Sequence, residues 1–246
     1  MDMKIVVLNI WGGRMSKDLL VFLEKLRETE VFLLQEVMHQ ATSVTCWEPD
    51  EEKEIFSAID NVLDLHRGYF APAVFDEWGL AMFIKKDIQV NEIGDIFVHN
   101  HRESMVGRDA TTVGRNIQYA TILHDQKPLT MINFHGLWNG EGKSDSDDRI
   151  KQSKRIIDFI KNIPHDIVLG GDFNLLPGTQ SLQMIENDLG LKNLITEHEI
   201  TSTRTSLYDK PIGFADYVFI SQGIEVKDFQ VLPDEVSDHS PLLLEI

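Results

Sequence analysis

The sequence predicts an α/β protein in which two β-sheets pack face to face with helices outside. Three observations carry this reading. Short apolar runs, too brief for helices and bounded by polar residues, recur along the whole chain as buried strands do. Segments with helical apolar spacing alternate with them. Hairpin-like pairs of runs stand in each half, an order suited to sheets stacked beneath helices. With 246 residues and no repeat, low-complexity tract or Pro/Gly/Ser-rich linker, residues 1–246 are expected to form a single domain.

The elements follow in order. A strand over residues 3–10 leads to an amphipathic helix over 16–28, whose stripe is Leu19, Leu20, Phe22, Leu23 and Leu26. A strand at 31–35, a helix near 53–64 and β-like stretches at 69–75, 79–85 and 90–98 come next. A polar segment, 99–112, precedes strands near 113–123 and 128–134. The acidic entry Ser144 to Asp148 suits a helix N-terminus, and that helix runs to about Asn162. A strand at 166–171, a short helix near 179–187 and strands at 214–220, 225–231 and 241–245 complete the chain.

Composition narrows the function. The net charge is −17, with 40 acidic against 23 basic residues and no basic run. Broad electrostatics would not hold a long duplex, which normally meets clustered Lys and Arg. No apolar stretch approaches the roughly 20 residues that span a bilayer, and the N-terminus runs straight into a strand without a signal-peptide pattern. Cys46 is the only cysteine, so no internal disulfide forms. A cytoplasmic monomer without stable membrane association is the expectation.

Five apolar runs each border a residue that handles phosphate or a divalent metal: Asn9 after IVVL, Glu36 after FLLQ, His135 after MINF, Asp172 and Asn174 in IVLGGDFN, and Asp238 and His239 before SPLLLEI. A buried strand has no packing use for such groups, because ions are costly to desolvate unless paired or metal-bound. Together they describe an active site at one sheet edge. Glu36 suits Mg²⁺, which prefers oxygen ligands, although alone it would read as a surface residue after a strand. Asp238 reads as a second metal-side carboxylate, and Asn9 as an amide orienting a water or phosphate oxygen. Strand alternation puts Asp172 and Asn174 on one face, as a base aligning water and a neutral phosphate donor. An Asx-turn before LLPG is the plain alternative. Gly170 and Gly171 allow a close backbone approach. His135 and His239 stand out among nine histidines by position. Trp11 and Trp138 lie just beyond strand ends and could stack on a substrate group. His99 and His101 lack further zinc ligands, and Asp145, Asp147 and Asp148 lack an EF-hand's glycine.

LNIW, LLQEV, NFHG, GGDFN, FADYVF and SDH, in this order, resemble the endonuclease/exonuclease/phosphatase superfamily, the deoxyribonuclease I-like fold, over residues 5–243. The resemblance implies a four-layer α/β/β/α sandwich. It implies that Glu36 and Asp238 ligate the metal with Asn9 in or beside that shell, that Asp172 positions or deprotonates the attacking water, and that Asn174 holds the phosphate. It also implies that Asp216 supports His239, that Glu77 supports His135 and that Arg115 contacts phosphate. The QE motif is followed by Val37-Met38 rather than the Thr-Lys of AP endonucleases, and FADYVF replaces the Cys-Asp-Arg segment of inositol polyphosphate 5-phosphatases. NIWGG and QEV look closer to neutral sphingomyelinases and tyrosyl-DNA phosphodiesterase-like members. The expected activity is a Mg²⁺-dependent phosphodiesterase, Mn²⁺ substituting, on short or single-stranded nucleic acid or a small phosphodiester. The alternatives are a sphingomyelinase-like enzyme, a small-molecule phosphatase and a non-catalytic phospholigand binder.

Overall fold

The computed structural model describes residues 2–42 and 45–246. The elements in chain order are β1 (Lys4–Asn9), α1 (Ser16–Lys25), β2 (Val31–Met38), α2 (Ile55–Val62), β3 (His66–Val74), β4 (Trp78–Lys85), β5 (Val90–His99), β6 (Arg115–His124) and β7 (Lys127–His135). They continue with α3 (Asp147–Ile160), β8 (Asp166–Asp172), α4 (Gln180–Leu189), β9 (Lys192–Asn193), α5 (Leu194–Glu197), β10 (Asp216–Ile220), β11 (Asp228–Val231) and β12 (Leu242–Glu245). One six-stranded sheet has the order β11-β12-β1-β2-β4-β3, the other β5-β6-β7-β8-β10-β9. Both mix parallel and antiparallel pairs.

Strand alternation sorts the apolar residues into layers. Ile5, Val7, Leu33 and Met82 of the first sheet join Met131 and Leu169 of the second in one core. Their neighbours Val6, Leu8, Phe32 and Phe83 face the other way, onto Leu19, Phe22 and Leu23 of α1 and Ile55 and Ile59 of α2. Ile156 and Ile160 of α3 and Ile185 of α4 close the far side. The result is the four-layer α/β/β/α sandwich. Each such side chain, fully buried, contributes on the order of 1.5–3 kcal/mol.

Between the sheets the core turns polar towards the site. Gln35 Nε2 donates to Asn133 Oδ1 at 2.7 Å, and Asn133 Nδ2 donates to Leu34 O and Ala81 O at 3.0 and 3.1 Å. Asn133 bridges the sheets two residues before His135, so alternation aims His135 inward as well. Gly171 (φ 153°) lets β8 close on β7: a Cβ there would stand 1.9 Å from Phe134 O. Gly170 serves the sheet interface, where a Cβ would meet Val7 at 2.7 Å.

Several expected boundaries move. The first helix ends at Lys25 rather than 28, and β2 continues beyond residue 35 through Met38. The short β9 and α5 carry no period long enough to read. The strand expected over 225–231 is only β11, because Ser221 O accepts Ile224 N in a turn just before it. Asp147 opens α3 with Ser146 as its cap, whereas Asp145 accepts from Gln180 N and Ser181 N and caps α4 instead.

Candidate active site

Strand register assembles the site. His135 pairs with Asp172 across β7 and β8, and Asp172 with Asp216 across β8 and β10, so three polar residues form one row at the sheet edge. Asn9 ends β1 beside β2 in the facing sheet. Glu36 reaches the same place through a β-bulge: Leu34 pairs with Ala81 and Val37 with Gly79, leaving Gln35 and Glu36 opposite Leu80. Glu36 adopts φ 58°, and Trp11 and Asn174 adopt φ 52° and 54°. Left-handed backbone at non-glycine residues is costly and gathers where a site over-determines it.

Asn9 Nδ2 lies 3.0 Å from both Glu36 Oε1 and Asp172 Oδ2, bridging the two carboxylates, while Asn9 Oδ1 accepts Trp11 N at 2.9 Å. Asp172 Oδ1 accepts Asn174 N at 2.8 Å. The expected pairing of Asp172 with Asn174 by strand alternation is therefore corrected: β8 ends at Asp172, and an Asx-turn brings Asn174 back. The turn and the site are the same structure. Asn174 Nδ2 donates to Gly136 O at 3.4 Å, beside the His135 ring.

His239 Nδ1 donates to both Asp216 oxygens, at 2.8 and 2.9 Å, and Nε2 lies 3.5 Å from Asp172 Oδ2. Thr203 Oγ1 donates to Asp216 Oδ2 at 2.9 Å, fixing the carboxylate from behind. Desolvation works against a charge on His239, but Asp216 and Asp172 outweigh it and raise the pKa. Asp172 is also desolvated, yet the positive charges of His239 and Lys143 hold it below the ordinary carboxylate range. Glu36, 26% exposed, is pushed up by desolvation; its hydrogen bond with Asn9 opposes this and the negative charge of Asp238 and Asp172 adds to it.

His135 has a different neighbour from the one the resemblance implies. Its Nδ1 lies 3.0 Å from Arg115 Nη1, and a guanidinium can only donate. The hydrogen of neutral His135 therefore belongs on Nε2, which lies 3.7 Å from Asp172 Oδ2 and 3.8 Å from Glu36 Oε1. Burial and the Arg115 charge hold its pKa well below the ordinary value. Burial likewise lowers Arg115 to about 10. The expected support of His135 by Glu77 does not form. Glu77 Oε2 accepts from Thr42 N and Thr42 Oγ1 at 2.8 and 2.9 Å, and from Thr45 Oγ1. Those neutral donors hold it in the turn before β4, outside the cleft lining.

Asp238 lines the cleft, but its Oδ2 is engaged by Arg204 Nη1 at 2.7 Å. Among the described residues, two groups of possible ligand atoms each fall within 4.8 Å: Glu36, His135 and Asp172, and Asp172, Asp216 and His239. Asp238 joins neither. In the second, Asp216 and His239 are committed to each other by hydrogen bonds. In the first, two carboxylates share one small volume and, among the described residues, Glu36 makes no ion pair with a lysine or arginine, a donor set that fits a hard divalent ion.

The cleft above these residues encloses about 440 Å³. Trp11, Trp47, Trp78 and Trp138 all line it, so all four tryptophans of the chain surround the site. Arg14, Arg115, Lys143, Arg204 and Lys210 face five carboxylates there, a local balance unlike the acidic whole. Of these cations only Arg115 was anticipated. Arg204 and Thr203 occupy a loop without periodicity and reach the site because Arg204 forms an isolated β-bridge with His239.

Residues 6–239 match the Endonuclease/Exonuclease/phosphatase family, and the chain belongs to it. A UPF0294 protein of Yersinia enterocolitica is 30% identical over 125 residues, covering 50% of this chain and 44% of that protein. The match thus spans less than half of that relative's length. A mannosyl-6-phosphatase from Bacteroides thetaiotaomicron is similar in structure, with TM-score 0.76 and 15% identity over 99% of each chain. D. rerio TDP2, solved in complex with a single-strand DNA product, has TM-score 0.72 and 15% identity, over 99% of this chain and 98% of its own. No helix among the described residues is long and apolar enough to cross a membrane.

Proposed function

We propose that this chain is a divalent-metal-dependent phosphodiesterase, using Mg²⁺ or Mn²⁺ to direct water onto a phosphodiester in short or single-stranded nucleic acid or a small molecule. The observation that carries the reading is the hydrogen-bonded chain Thr203–Asp216–His239 meeting Asp172–Asn9–Glu36 at the floor of an aromatic cleft. Glu36 and Asp172, bridged by Asn9, would hold the metal. When bound, it supplies positive charge at a phosphate oxygen and eases ionisation of water. His239, kept cationic by Asp216, donates from Nε2 to the phosphate as negative charge builds. Asp172, a carboxylate of depressed basicity, aligns the attacking water through Oδ2. Asn174 donates its amide to a phosphate oxygen without adding charge, and His135 donates from Nε2. Water forms the new P–O bond as the bond to the leaving oxygen breaks; the proton the water loses passes to Asp172 Oδ2, and the leaving oxygen takes its proton from cationic His239 at Nε2.

The four indoles support a leaving group with a flat face, such as a nucleobase. A choline-type headgroup fits less well. Arg14 already lies 4.0 Å from the Trp11 ring, Arg204 4.0 Å from Tyr208, and Arg115 5.1 Å from Trp78, so these faces carry cations of their own.

Hydrolysis of bis(p-nitrophenyl) phosphate tests the reading. Activity should require Mg²⁺ or Mn²⁺ and vanish in excess EDTA, and Glu36→Ala should lower the rate and weaken the metal titration together. Full activity in excess chelator, or an unchanged metal titration in that variant, would refute it.

A further inference from the structure

We propose that Lys143 and Arg204 form an oxyanion-binding wall of this cleft, Lys143 Nζ and Arg204 Nε each taking a non-bridging oxygen of the bound phosphate. The proposal rests on the phosphoester reading and adds residues that the mechanism above does not use. Lys143 is 3% exposed, yet its Nζ has no hydrogen-bond partner among the described residues, and Arg204 Nε is in the same condition. Buried cationic donors without partners are costly. Both side chains line the one cleft, and both look onto the Tyr208 ring, Lys143 at 5.8 Å and Arg204 at 4.0 Å. A tetrahedral anion offers each an acceptor.

The backbone holds Lys143 in place from both sides. Buried Arg149 donates to Gly142 O at 2.8 Å, to Ser144 O and to Leu137 O at 3.2 Å, bracketing Lys143 by its neighbours' carbonyls. Lys143 O accepts Leu176 N at 2.9 Å. Gly140 and Gly142, at φ 77° and 83°, let the chain turn there. A loop braced this firmly around an ammonium with no hydrogen-bond partner among the described residues is organised for a ligand, since a binding group needs a rigid support. Arg204 is held likewise, by its bridge to His239 and its ion pair with Asp238. The wall therefore stands beside the Asp172–His239 floor.

Inorganic phosphate titrated into the Mg²⁺-loaded full chain, followed by tryptophan fluorescence, tests this without turnover, because every tryptophan lines the cleft. Lys143→Met should weaken phosphate binding about tenfold or more, the loss expected for one charge-assisted hydrogen bond. Lys143→Arg should recover part of it. The Mg²⁺ titration without phosphate should not move. Lys143→Gln serves as a second variant. Wild-type phosphate affinity in both variants, or no phosphate binding by the wild type, would overturn the proposal. Lys143-dependent phosphate binding in a protein that does not hydrolyse bis(p-nitrophenyl) phosphate would sink the catalytic reading and leave this one standing.

Discussion

His239 presents Nε2 to the cleft only because Nδ1 is spent on Asp216, which Thr203 holds in turn. The three act as one unit, and their removal should not multiply. Replacing His239 by Ala should cost about 10²–10⁴ in rate, the usual range for a positioned proton-handling group. Asp216→Asn should cost less and shift the pH–rate profile, since it works through the imidazole. Steady-state kinetics of the double variant decide the matter: a loss equal to the product of the single losses would show the two to be independent.

At the scale of elements, the site depends on devices that place side chains without contacting substrate. The β2 bulge aims Glu36, the Asx-turn after β8 returns Asn174, and the Arg204–His239 bridge ties a loop to the last strand's entry. Asp145 is a device of stability. It accepts from Gln180 N, Ser181 N and Ser181 Oγ at 2.7, 2.9 and 2.6 Å, supplying a cap that Thr179 does not. Asp145→Ala should cost about 0.5–2 kcal/mol, the range for a lost N-cap, read as a lower urea midpoint. An unchanged midpoint would mean that water replaces the carboxylate without loss.

At the scale of the whole molecule, charge is distributed unevenly: a strongly acidic chain keeps its cleft balanced, so a bound cation tips that cleft positive for phosphate. The pH dependence of folding has a source remote from the cleft. His66 is buried at the start of β3, with Nε2 2.6 Å from Thr29 O and Nδ1 without a partner among the described residues. Burial lowers its pKa below the ordinary value. The unfolded chain therefore binds the proton more readily, and stability rises with pH across the interval between the two pKa values. This contribution is complete above about 6.5, the unfolded histidine value, and is lost as pH falls from there through the folded pKa. Urea midpoints followed downward from neutral pH should show a decline that His66→Phe reduces. An equal decline in both proteins would assign it to other groups.

The alternation of apolar runs and helical stripes was enough to announce two sheets beneath helices, since period-two and helical burial leave their marks within a few residues. The motifs at strand ends likewise named Asn9, Glu36, His135, Asp172, Asn174, Asp238 and His239, because a polar group capping an apolar run is a local signal, and the family resemblance added Asp216. All eight line or support one cleft. Their partners were not local. Arg115, not Glu77, meets His135, because strand register sets which side chain stands beside that imidazole and neutral threonines claim Glu77 first. Arg204 takes Asp238 across a loop-to-strand bridge, and Lys143 enters from a segment with no period at all. Periodicity reports which face a residue buries. Only the folded chain, bringing together residues more than a hundred positions apart such as Asn9 and Asp172, decides which buried charge answers which.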